Sequence, residues 1–150
     1  MNAPSHIIIH TLGYLGEADI DEVRRWHLER GWSDVGYHYL VRYNGQVQKG
    51  RPEDENGAHA RGYNSHSIGI ALEGHGDMEM WTLPQLLSLL RLCDDLTARH
   101  DIPPHAVLGH RETGARKTCP GKLIDMDAFR GILFEYLLED GNTTNEKSAC

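Results

Sequence analysis

No run of apolar residues in this 150-residue chain approaches the roughly 18 that a membrane span requires, so no membrane insertion is expected. Basic residues are in short supply too: 15 Lys and Arg stand against 22 Asp and Glu, a net charge of -7. Attraction to a nucleic-acid backbone needs a basic face, so no nucleic-acid partner is expected. The three cysteines, Cys93, Cys119 and Cys150, are odd in number and widely spaced, which argues against a disulfide framework. The N-terminal MNAPSHIIIH has neither a basic region nor an apolar stretch of signal-peptide length, so synthesis in the cytoplasm is expected. Repeats, linkers and low-complexity boundaries are missing as well, and the length suits one domain with a single core.

What is present is an alternation of short apolar runs with helical periodicity. His6 to His10 reads as a buried strand, since three isoleucines suit a pleated sheet. Asp19 caps a helix with Glu22 three residues on, Ile20, Val23 and Trp26 follow at helical spacing, and Gly31 ends it. His27 on that helix reads as a partly exposed packing residue. Val35 to Arg51 alternates around Asn44-Gly45, the signature of a β-hairpin, with Tyr37 and His38 on opposite faces and Tyr39 and Tyr43 in cross-strand packing. Ile68 to Leu72 is a central strand, and EGHGDMEM after it a turn.

Thr82 opens the longest helix with Gln85 completing a capping box, and Leu83, Leu86, Leu87, Leu90, Cys93 and Leu96 form its apolar stripe, making Cys93 a core thiol. Ala106 to Gly109 is a short strand. Asp125 caps a last helix with Ala128, Phe129, Ile132, Leu133, Tyr136 and Leu137 inward. The expected fold is α/β: one domain over residues 1–140, a mixed β-sheet flanked by helices on both faces, and a polar, disordered tail over residues 141–150.

Chemistry concentrates in GHRETGARKTCPGK, Gly109 to Lys122, which has almost no apolar residue. Imidazole and thiolate are preferred zinc donors, and a catalytic zinc takes three protein ligands with one open position. His110 and Cys119 are two such donors. His10, at the end of its strand, is the best candidate for the third. On a strand, His6 lies about 13 Å from His10, so the two cannot share an ion, and His6 is placed at the surface. If the strands ending at His10 and Gly109 are parallel neighbours, both histidines emerge at one sheet edge. The long irregular stretch from Arg51 to Ser67 supplies His59, Arg61, Asn64 and His66 as candidate site-lining residues, with solvated surface as the alternative for each. Arg111, Arg116, Lys117 and Lys122 against Glu112 give an otherwise acidic chain a basic loop, either simply solvated or suited to attracting carboxylates.

The stretches IIIH ending at His10, VRRWHLERGWSDVGYHYLVRYNG from Val23, GAHARGYNSHSIGIAL from Gly57 and HRETGARKTCP from His110 span nearly the whole globular part. Together they resemble the zinc-dependent N-acetylmuramoyl-L-alanine amidases of the type 2 family, which includes peptidoglycan recognition proteins, and most closely the phage lysozymes of the T7 type. The resemblance implies one Zn²⁺ per chain held by His10, His110 and Cys119. It implies catalytic roles for Tyr37 and Lys117, and a groove-lining place for His59. The implied reaction hydrolyses the amide between the lactyl group of N-acetylmuramic acid and L-alanine in peptidoglycan, by a monomer. The implied place of action is the periplasm, reached after release with a holin or other membrane disruption. A non-catalytic peptidoglycan-binding module is the alternative, disfavoured by the presence of Cys119 and Tyr37.

Overall fold

The computed structural model describes residues 3–149, with side chains described for residues 3–140. The expected tail, residues 141–150, lies outside the residues so described. Five strands form one sheet: β1 (His6–Thr11), β2 (Tyr39–Val41), β3 (Val47–Lys49), β4 (Ser67–Leu72) and β5 (Val107–Gly109), in the order β3-β2-β4-β1-β5. β1 pairs in parallel with β4 and β5, and β4 pairs in parallel with β2. Only the hairpin partner β3 runs antiparallel. Three helices complete the fold: α1 (Ile20–Glu29), α2 (Leu83–His100) and α3 (Met126–Ala149). Among the described residues, no helix is long and apolar enough to cross a membrane.

Side-chain alternation along the strands sorts the two faces. Ile7, Ile9, Ile68, Ile70, Leu72 and Val107 pack against Leu89, Cys93 and Leu96 of α2 and Phe129 and Leu133 of α3. On the other face Leu40 and Ala71 pack with Ala18, Ile20 and Val23 at α1. The mixed sheet with helices on both faces is thus as expected, and Cys93 is a core thiol.

Several local expectations change. The inward stripe of α2 is rotated: Leu83 and Leu87 are 67% and 43% exposed, while Leu89 and Gln85 are buried. The Gln85 amide donates to the Val41 and Glu73 carbonyls, so a polar side chain occupies part of the core-facing surface. The capping box at Thr82 forms as expected. On α3, Ala128 and Ile132 face solvent, and Met126 takes their place inside. Tyr39 stands opposite Lys49, not an aromatic partner; its ring joins the α2-side core and its hydroxyl donates to Glu53. The Tyr43 hydroxyl donates to Glu79. These tyrosines anchor loops rather than each other.

Glu73 is the polar junction at the end of β4. Its buried carboxylate accepts from Ala18 N at 2.6 Å, Tyr43 N at 2.7 Å and Arg42 Nε at 2.8 Å, tying the chain before α1 to the hairpin. A buried carboxylate satisfied on both oxygens is tolerable, and removing it strands its partners. Glu73→Ala is expected to lower unfolding free energy by about 3–5 kcal/mol; a urea midpoint within experimental error of the parent would show that the junction is dispensable.

His27 is buried, not partly exposed, because its Nδ1 accepts the Gly36 N–H at 2.8 Å beneath the Trp32 and Tyr37 rings. His38 is fully buried, accepting from Gly69 N at 3.0 Å and donating to the Glu55 carbonyl at 2.9 Å. Each accepting nitrogen would lose its bond on protonation. Burial lowers both pKa values, that of His27 to about 4, with nearby arginines adding to the effect. Both groups bind protons more weakly folded than unfolded. Their stabilising contribution is therefore complete above the ordinary pKa of about 6.5 and is lost as pH falls toward the folded values. Urea unfolding of chelator-treated protein should show His27 alone accounting for a loss on the order of 2–3 kcal/mol between pH 7 and 4. His27→Gln should flatten that slope, and an unchanged slope would refute the assignment.

Candidate metal centre

The pairing of Ile9 with Gly109 places the two residues that follow, His10 and His110, side by side at one end of adjacent parallel strands. Their ring centroids are 4.6 Å apart. Cys119 arrives from the loop beyond, which is tied down from three directions. Thr11 Oγ1 donates to Pro120 O at 2.9 Å, and Arg111 N donates to Cys119 O at 2.7 Å. Asp77 accepts from Thr118 Oγ1 at 2.9 Å and Lys122 N at 2.7 Å. Gly76 packs so closely against Pro120 that a Cβ on it would lie 1.9 Å from the Pro120 oxygen, which explains why glycine is needed there.

The donor atoms of His10, His110 and Cys119 all lie within 4.8 Å of one another. Cys119 Sγ is 3.8 Å from His10 Nδ1. Donors around a tetrahedral zinc, with Zn–N near 2.0–2.1 Å and Zn–S near 2.3 Å, stand roughly 3.3–3.6 Å apart, so a small contraction would close this triad on one ion. The other nitrogen of His10, Nε2, is 2.9 Å from His59 Nδ1. His10 therefore faces the triad through Nδ1.

Burial sets the protonation states. It holds the pKa of His10 well below the ordinary value, with His59, His110 and Lys117 adding to the effect, and it lowers that of His110 with help from Lys117. Both rings are neutral, with lone pairs available to a cation. Burial drives the Cys119 thiol up to about 11, so a metal must displace its proton on binding. Tyr37, whose ring is 5.1 Å from that of His10, has its pKa raised by burial and then by Cys119, and keeps its proton. Among the described residues, no protein group hydrogen-bonds its hydroxyl.

The triad opens into a groove. A cavity of about 470 Å³ is lined by His10, Tyr37, His110, Lys117 and Cys119 together with Arg30, Trp32, His75 and Asp77. A second, of about 610 Å³, shares Trp32, Ala58, His59, His110 and Lys117 with it and continues past Arg61 and Asn64. The two cavities thus adjoin, with five residues, Lys117 among them, bordering both.

Of the residues read from sequence as site-lining, His59 is buried with its ring turned to His10. Asn64 borders the second cavity, but its Oδ1 is occupied by the His59 and Ala60 N–H groups at 2.9 Å each. Arg61 is exposed along that cavity. Arg116 is exposed and lines neither cavity. His66 meets the His6 ring edge-on, lies tilted against Tyr63, and lines neither cavity. His6 is half-buried rather than at the surface, its Nδ1 2.8 Å from Ser5 Oγ. Arg111 turns from attraction to construction: its guanidinium donates to Gly121 O at 2.6 Å and to the Thr118 and Ile124 carbonyls, clamping the loop. His27, Arg30, Trp32, His75 and Asp77 were not identified as cleft residues from sequence. Gly-His-Gly-Asp inside EGHGDMEM was the one available signal for the last pair.

Both the sequence and the fold that carry this arrangement have relatives among known proteins. The endolysin of Escherichia phage T7 is 41% identical over 106 residues, 67% of this chain and 68% of that protein. The structure of the N-acetylmuramoyl-L-alanine amidase LysC from Clostridium intestinale superimposes with a TM-score of 0.81 at 30% identity, covering 87% of this chain and 85% of LysC. Drosophila PGRP-LB superimposes with a TM-score of 0.73 at 30% identity, covering 81% and 78%. A family model described as N-acetylmuramoyl-L-alanine amidase matches residues 1–122, which include all five strands, α1, α2 and the whole triad. With most of its length matched, the chain belongs to the type 2 N-acetylmuramoyl-L-alanine amidase family.

Proposed function

We propose that this protein is a zinc-dependent peptidoglycan amidase that cuts the amide between the lactyl group of N-acetylmuramic acid and L-alanine, and so lyses the cell wall. The observation that carries the reading is the convergence of His10, His110 and Cys119 within 4.8 Å at the floor of the cleft. Family membership supports the reaction class. The donor set fits Zn²⁺: two neutral imidazoles and one thiolate satisfy its preference and leave a position for substrate or water. When bound there, Zn²⁺ supplies Lewis-acid chemistry, polarising the carbonyl and lowering the pKa of water toward 7.

The remaining work falls to the chain's own groups. The oxygen of water bonds to the lactyl carbonyl carbon, the C–N bond breaks, and the alanine amine leaves with a proton. Tyr37 keeps its proton at neutral pH and lies beside His10, so its hydroxyl can donate to the carbonyl or to the departing nitrogen. Lys117 borders the cleft, and its ammonium can stabilise the oxyanion that develops as water adds. Arg61, farther along the cleft, offers a cation to the stem-peptide carboxylates, with Asn64 and His59 shaping the wall behind it. Arg116 lies outside both cavities and contributes only to attraction at a distance. Cys119 and Tyr37 in place argue against a purely binding role.

Purified protein incubated with peptidoglycan should release stem peptides bearing a free L-alanine amine. A chelator should abolish the release and added Zn²⁺ restore it, whereas Cys119→Ser should stay inactive. New reducing ends in place of free amines, or activity that survives chelation, would overturn the proposal. Tyr37→Phe and Lys117→Ala should each retain bound zinc while losing about 10²–10³-fold in kcat; full activity in either zinc-loaded variant would remove that residue from the chemistry. Arg61→Glu should raise KM more than Arg116→Glu at low ionic strength. Equal effects would mean that the two charges act only through the overall field.

A further inference from the structure

His59 borders both cavities, and its ring is built into the wall behind the triad. Asn64 Oδ1 pins the backbone N–H groups of His59 and Ala60. The ring lies in a slot between two glycines: a Cβ on Gly57 or on Gly69 would come within 2.5 Å of it. Gly69 stands beside Ile8 on β1, so the sheet itself leaves the space.

The hydrogen bonds around this ring can run in only one direction. The chain ends at the Tyr63 carbonyl, which can only accept, so Ser67 Oγ donates to it at 2.7 Å. With its proton so used, Ser67 Oγ meets His59 Nε2 at 3.2 Å as an acceptor, which places the His59 proton on Nε2. Nδ1 of the neutral ring is then a lone pair, and it lies 2.9 Å from His10 Nε2. His10 must donate there. Its own proton is thus on Nε2, and its Nδ1 lone pair is left facing Cys119 Sγ 3.8 Å away. Each step follows from the one before, starting from a carbonyl outside the site.

We infer that His59 is a positioning residue: together with Ser67 and the Tyr63 carbonyl, it locks His10 in the tautomer that offers Nδ1 to the metal and fixes the plane of its ring. The inference rests on the metal-binding reading of His10, His110 and Cys119. It also gives the long stretch between β3 and β4 a purpose, since Asn64, Tyr63 and His59 all belong to it. A histidine ligand whose second nitrogen is held in this way is oriented before the ion arrives, and loss of such a partner typically weakens metal binding by about 10–100-fold.

His59→Phe fills the slot without an acceptor, and His59→Asn places Oδ1 close to where Nδ1 was. Zinc affinity is measured by competition with a chromophoric chelator, with circular dichroism as a check on folding. The tautomer of His10 in metal-free protein is read from long-range ¹H–¹⁵N correlations. The parent should show His10 protonated on Nε2. His59→Phe should bind zinc about 10–100-fold more weakly, Ser67→Ala should weaken it less, and His59→Asn should recover most of the loss. Parent-like zinc affinity in folded His59→Phe would overturn the inference alone. So would equal weakness of the Asn and Phe variants, which assigns the effect to packing, or a His10 proton found on Nδ1. A parent that binds no zinc would instead bring down the metal-binding reading itself, and the inference with it.

Discussion

The parallel register of β1 between β4 and β5 is the constraint on which the site depends. Side chains alternate along β1, so Ile7 and Ile9 enter the core beneath α2 and α3 while His10 belongs to the opposite face. A slip of one residue would bury His10 among the isoleucines and turn two isoleucines toward the cleft. The cost of such a slip is set by the core, not by the site. Burying each isoleucine stabilises the fold by about 1.5–3 kcal/mol, so the apolar face enforces a position that the polar residues alone could not hold. β5 is three residues long, yet its pairing with Ile7 to Ile9 suffices to bring His110 alongside.

The same division by face explains the composition of β4. Its core-side residues, Ile68, Ile70 and Leu72, are bulky, and its site-side residues, Ser67, Gly69 and Ala71, are small. Small residues there are not merely tolerated. Gly69 leaves room for the His59 ring and donates its N–H to His38, while Ser67 passes the hydrogen-bond chain from His10 on to the Tyr63 carbonyl. The site face is therefore a layer of neutral, mutually hydrogen-bonded polar rings laid against the sheet, an arrangement in which each buried nitrogen needs a specific partner.

Much of this was legible in the sequence where local pattern carried it. Three isoleucines bounded by histidines, a capping box at Thr82 and Asn44-Gly45 each specify their own element, and strands ending at His10 and Gly109 put two imidazoles at one edge once parallel pairing is assumed. What escaped was decided by contacts far apart in the chain. Gln85 turns the α2 stripe because two carbonyls on other elements need its amide. Arg111 looks like a cation in a basic loop until the loop folds back and presents three carbonyls to it. His59 shares its motif with groove residues, and only the closeness of Gly57, Gly69 and Ser67 shows that its nitrogens face inward. Asp77, in a stretch that reads as a turn, gains its role only when Thr118 and Lys122 N arrive.

Burial acts on His10, His110, Tyr37 and Cys119 in the same sense, favouring the neutral form, yet its consequences differ with the group. For His10 and His110 the neutral form is the one that can ligate, and for Tyr37 it is the one that can donate a proton. Only Cys119 is driven away from the form that would ligate a metal. The metal-free triad is thus uncharged, and the cost of the thiolate is deferred until a divalent cation is present to offset it. Two neutral imidazoles, one thiolate and a doubly charged cation would leave a net charge of +1 on the cleft floor, beside the exposed side chain of Lys117. In a chain with a net charge of -7, such a local positive charge would attract the carboxylates of an acidic ligand to the cleft.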